Sequence, residues 1–108
     1  MDHTDEYIKE ISEKIDSKKD YYAEISNKIW EFAEPRFQEY RSSELLQNAL
    51  KQEGFSVKAD LAGEQTAFIA EYGSGKPVIA FLGEFDALPG LSPVSYTHLR
   101  AHETLRHL

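Results

Sequence analysis

Two carboxylates, Glu84 and Asp86, stand two residues apart in the segment Gly83-Glu84-Phe85-Asp86-Ala87-Leu88-Pro89-Gly90. In extended backbone alternate side chains leave on one face, so both carboxylates would point the same way. Such a pair can orient a histidine, approach a metal or hold a proton. The plainer alternative is a polar turn that closes a strand, with Pro89-Gly90 supplying the bend. The run directly before it, residues 77–82, is continuously apolar, as expected of a strand covered on both faces. Ligand and catalytic groups of open α/β sheets gather beyond the carboxyl ends of such strands, which is where this pair would fall.

Three other constellations carry weaker chemistry. Gly73-Ser74-Gly75-Lys76 has a superficial likeness to a phosphate-binding loop. The earlier glycine of that motif would fall at Ala70, and Pro77 replaces the hydroxyl residue that would touch magnesium. A hairpin turn between strands at 66–72 and 77–82 is the better reading. His98 and His102 are four apart and His107 follows, so on a helix two rings could share a face. The fuller pattern His-Glu-x-x-His is not met, because His102-Glu103 is followed by Thr104-Leu105-Arg106. Finally, Ile8, Ile11, Ile15, Tyr22, Ile25, Ile29 and Phe32 follow steps of three and four, with Lys18 breaking the series. That stripe suits either a coiled coil or a helix packed on a sheet, and the strands that follow favour packing.

The elements that must carry these residues can be read in order. Residues 5–33 form one long helix, or two with a break near Asp16-Ser17. Pro35 stops the pattern, since a proline pushes its predecessor out of the helical region. Ser42 or Ser43 is a plausible N-cap for a second helix through Gln52 or Glu53. Gly54 sits where a left-handed residue ends a helix, and Phe55 would complete a Schellman motif. Strand candidates follow at 55–60, 66–72 and 77–82. Two helices and then three strands match the start of an α/β sandwich.

Composition bounds the function. The chain has 108 residues, 41% hydrophobic, enough for one small domain. Its net charge of −7 and the lack of a basic stripe argue against nucleic acid as a partner. Cysteine is absent, which excludes disulfides and thiolate metal sites. The longest apolar run, Val78 to Leu82, is far too short for a bilayer. The acidic start, Met1 to Glu6, resembles neither a secretory signal nor a transit peptide, so a cytoplasmic protein is the simplest expectation.

Residues 93–108 depart from the rest. They hold three of the four histidines. Pro93 to Thr104 looks like a translation of the transposase adaptor used in sequencing-library preparation. The expected division is therefore 1–92 as evolved protein and 93–108 as a non-native, disordered tail.

At the carboxylate segment a family resemblance enters. Gly83 to Ser92 closely resembles a signature of the zinc-dependent aminoacylase and carboxypeptidase superfamily, and within it the p-aminobenzoyl-glutamate hydrolase group of amidohydrolases. Ile29-Trp30-Glu31-Phe32-Ala33-Glu34-Pro35 and Phe37-Gln38-Glu39-Tyr40-Arg41-Ser42-Ser43 agree, as do Gly54-Phe55 and the run at 77–82. The resemblance covers residues 5–92. It implies the N-terminal part of an α/β/α sandwich, truncated relative to members several times longer. It implies a hydrolase that cleaves the amide bond of p-aminobenzoyl-glutamate or a similar small N-acyl amino acid. The parent would use a divalent metal, zinc or manganese, and assemble as a homo- or hetero-oligomer. Asp86 matches the family's aspartate in this motif, which orients or bridges at the metal site, and is the one catalytic residue carried over. Glu84 falls where other branches have a metal-binding histidine. The other ligands and the general base of the family come later than this motif, so the present chain is expected to bind no metal tightly and to be inactive by itself. Two other readings remain open: a helical interaction module built on the 8–32 stripe, and a small nonenzymatic α/β binding domain.

Overall fold

The computed structural model describes residues 3–90, so the expectations for residues 93–108, including His98, His102, His107 and the adaptor-like tail, lie outside the described residues. Three helices precede a two-stranded hairpin: α1 (Thr4–Ser17), α2 (Lys19–Phe32), α3 (Tyr40–Gln52), β1 (Ser56–Leu61) and β2 (Glu64–Glu71). The fold is mixed α/β, as the order of patterns implied. No helix of the described residues is long and apolar enough to cross a membrane.

The stripe at 8–32 is two helices, because it breaks at Lys18. The Ser17 hydroxyl donates to the Lys14 carbonyl at 2.7 Å, and the Lys18 N–H bonds back to Ile15 at 3.1 Å, a three-residue closure that tightens the last turn. The Lys18 ammonium then pairs with Glu53 at the end of α3. That carboxylate, through its hydrogen bond, raises the Lys18 pKa. The two halves of the stripe have different surroundings. Ile8, Ile11 and Ile15 on α1 stay more than half exposed, whereas Ile25, Ile29 and Phe32 on α2 are half-buried toward α3.

Helix α3 ends as its sequence dictates. Gly54 has φ +94°, the N–H of Phe55 reaches the Leu50 carbonyl at 3.1 Å, and that of Gly54 reaches Lys51 at 3.0 Å. These are the two bonds of a Schellman ending. The ring of Phe55 lies 5.2 Å from that of Tyr72, which follows β2 and fastens the helix end to the sheet.

The hairpin is not the one expected. Strands β1 and β2 pair antiparallel with Ser56 opposite Glu71 and Leu61 opposite Glu64. The two residues between them, Ala62 and Gly63, have φ +51° and +80°. Positive φ at both central positions is the requirement of a type I′ turn, whose twist matches that of the strands. Asp60, also at positive φ, marks an irregularity in the ladder between Ala59 and Leu61. Gly73-Ser74-Gly75-Lys76 does not join two strands, and 77–82 is not a strand. Val78, Ile79, Phe81 and Leu82 are 84%, 74%, 93% and 102% exposed. A segment that is apolar on both faces needs a neighbour on each side, and the described residues offer none.

Packing is centred on polar groups. Among the described residues no apolar side chain is buried, while Glu34, Ser42, Ser43 and Thr66 are. All four lie where the start of α3 meets β2 and the segment after Phe32.

Candidate functional site

The start of α3 is fixed from a distance. The helix begins at Tyr40, ahead of the two serines expected to cap it. Ser42 and Ser43 sit inside its first turns and are buried. The cap is Glu34, in the connection after α2. Its Oε2 accepts the Arg41 N–H at 3.0 Å and its Oε1 accepts the Ser42 N–H at 2.7 Å. A carboxylate at a helix N-terminus satisfies free N–H groups and complements the helix dipole. Burial pushes the Glu34 carboxyl up, but the N–H groups of Arg41 and Ser42 outweigh it and hold the group below the ordinary glutamate range. The Arg41 guanidinium adds a longer contact to Glu34 at 3.4 Å and lies 4.5 Å over the ring of Phe32. The chain enters this connection through Ala33 and turns again at Phe37, both at positive φ (+49° and +67°).

The same connection holds the segment bearing Glu84 and Asp86. The main-chain oxygen of Glu34 accepts the N–H of Ala87 at 2.7 Å, and Pro35 and Ala87 form an isolated parallel bridge. The ring of Phe85 lies 6.0 Å from that of Phe68 on β2. The segment is therefore tied on one side to the approach to α3 and on the other to the hairpin.

Between these ties lies an open cleft of about 320 Å³ lined by residues of the 36–39 connection, β2 and 83–86. Glu84 and Asp86 both line it, together with the intervening Phe85 and with Arg36, Glu39 and Glu64. Asp86 is exposed. Thr66, buried at the floor, has its hydroxyl 3.2 Å from Glu39 Oε1 and 3.1 Å from Glu64 Oε1. With one proton it donates to one carboxylate at a time. Glu34, Glu39, Glu64 and Thr66 were not singled out as site residues in the sequence. Glu34 and Glu39 stand in the stretch that carries the family resemblance, but no local capping pattern points to either. Glu64 and Thr66 enter the cleft only because the hairpin turns at Ala62-Gly63.

The donors gathered here are carboxylates. His3, the histidine of the described residues, lies on the approach to α1 with Nδ1 3.0 Å from Glu6. Among the described residues no group of three or more His, Cys, Asp or Glu side chains is placed to hold a metal ion. A zinc centre of the usual kind draws on nitrogen or sulfur ligands, so this donor set does not by itself fit one.

Comparison with known proteins extends the resemblance. The chain is 46% identical over 82 residues to a p-aminobenzoyl-glutamate hydrolase subunit of Escherichia coli (strain K12). The matched stretch is 76% of this chain, and the chain spans 17% of that relative. No family model matches, and no solved structure matches. The expected resemblance is thus borne out as a likeness to this hydrolase subunit over 82 residues of the chain.

Proposed function

We propose that residues 5–92 are the N-terminal part of a cytoplasmic amidohydrolase that cleaves the amide bond of p-aminobenzoyl-glutamate or a similar N-acyl amino acid. The identity of 46% over 82 residues to a hydrolase subunit of that name is the observation that carries this reading. The cleft adds to it, since Glu84 and Asp86 share one surface with Arg36. In this reading Asp86 works at the catalytic edge, as a metal ligand or as the carboxylate that orients one. The divalent metal, zinc or manganese, is completed by residues beyond this stretch, and the 108-residue chain is inactive alone. The name of the relative as a subunit supports an oligomeric parent. Residues 93–108 are a non-native tail in the same proposal.

What the residues of the cleft can do is limited and specific. Asp86 presents an exposed carboxylate at the rim of the cleft. Arg36 supplies a cation that suits the carboxylate of an amino-acid-like substrate. Replacing Asp86 by Asn in the full-length hydrolase keeps size and removes charge. Activity on p-aminobenzoyl-glutamate at limiting metal should fall by about 10–100-fold if Asp86 orients a ligand, and further if it touches metal. Leu88→Met, which alters packing only, should change activity less. Near-normal activity of Asp86→Asn would reduce Asp86 to a turn residue.

A second reading rests on a different observation. Ile8, Ile11 and Ile15 remain exposed along one face of α1, as a helical interaction module would require. Light scattering separates the two: a concentration-dependent dimer abolished by Ile11→Lys favours the module.

A further inference from the structure

Glu34 does not line the cleft, yet both of its ends are engaged beside it. Its carboxylate caps α3 through Arg41 and Ser42. Its main-chain oxygen takes the Ala87 N–H at 2.7 Å, and the next residue, Pro35, bridges to Ala87. Asp86 sits between that anchor and the Phe85 ring, which is held near Phe68. We propose that Glu34 is the positioning residue for Asp86: the carboxylate locks residue 34 to the start of α3, and the locked carbonyl fixes where the 83–90 segment enters the cleft.

The physical case follows from the two ends being one residue. Bonds from backbone N–H groups to an ionised carboxylate are stronger than neutral ones. While both hold, the 34–42 stretch is closed into a ring through the Glu34 side chain, which restricts the peptide after Glu34 and keeps its oxygen near Ala87. Glutamine keeps the length but has one acceptor oxygen, and its amide NH₂ would face an N–H donor. Aspartate is one methylene too short to reach both amides from the same backbone position. Protonation of Glu34 should likewise loosen the anchor. The inference rests on Asp86 being the working carboxylate of the proposed hydrolase, but the measurement below does not depend on that.

Amide exchange of the 108-residue chain, followed by NMR, tests it. In Glu34→Gln, protection at Ala87 should fall by about tenfold or more, while the Phe55 amide in the Schellman turn changes by less than about twofold. In the unmodified chain the Ala87 amide shift should move on acidification with the Glu34 carboxyl, and Asp86→Asn should leave that titration in place. Unchanged protection at Ala87, or loss in step with Phe55, would overturn the proposal. If Glu34→Gln does not fold, the acid titration decides: an Ala87 shift that vanishes in Asp86→Asn also overturns it. An active full-length Asp86→Asn enzyme alongside a responsive Ala87 would sink the role of Asp86 and leave the anchor standing.

Discussion

The Ser43 hydroxyl donates to the main-chain oxygen of Thr66 at 2.8 Å, joining the first turns of α3 to β2 where both residues are buried. Gln47 Nε2 in turn donates to Ser43 Oγ at 2.9 Å. Ser43→Ala leaves the Thr66 carbonyl without that donor in a place where water has little access. The loss should destabilise the chain by about 1–3 kcal/mol. A shift in the urea midpoint at unchanged slope would show it, and an unmoved midpoint would mean the bond is replaced.

Glu34 makes stability depend on acid. Its folded pKa is lowered relative to the ordinary glutamate value, so the folded state holds the charged form more tightly than the unfolded chain does. The contribution is fully present above the ordinary glutamate range. It is lost as pH falls through the depressed folded value. Glu34→Gln should be less stable at neutral pH and should lack this component of the acid limb. Thermal midpoints of both proteins across the acid range would reveal it. Parallel curves would contradict it.

The hairpin carries a correctable strain. Ala62 sits at φ +51° in a two-residue turn, a conformation that a Cβ disfavours by about 1–2 kcal/mol and that Asn or Gly tolerates. Ala62→Asn should therefore raise stability by about 1 kcal/mol without moving the cleft. A neutral or negative shift in the urea midpoint would show that the turn does not hold this geometry in solution.

Residues 78–82 leave four large apolar side chains in water. Such an extended apolar segment with unpaired backbone is a site for self-association. The chain should associate with rising concentration, and Phe81→Lys combined with Leu82→Lys should suppress it. Sedimentation that reports a monomer at all concentrations would refute this. So would association that the double variant leaves unchanged.

Local signals predicted some features well. Gly54-Phe55 specified the end of α3 because a Schellman ending is made within six residues. Of the two readings of the long stripe, the break near Asp16-Ser17 is the one the fold takes, since α1 ends at Ser17. The start of α3 was not legible at Ser42 or Ser43, because its cap comes from Glu34, seven and eight residues away. No short capping pattern spans that distance.

The sequence by itself determined the helical stretches, the mixed α/β class and the likeness to a hydrolase subunit, since period, the Schellman ending and signature residues are all written in consecutive positions. Tertiary structure decided which strands pair and which residues meet in the cleft. Ala62-Gly63 formed the hairpin although Ala is a poor turn residue, because pairing β1 with β2 outweighs the local preference against positive φ. The run at 77–82 has strong β character but no partner, and a strand's hydrogen bonds belong to two segments rather than one. Glu39 came to meet the Thr66 hydroxyl, and Glu34 to hold Ala87, through contacts 27 and 53 residues apart in the chain. Contacts of that reach leave no periodic trace; the folded backbone alone brings the partners together.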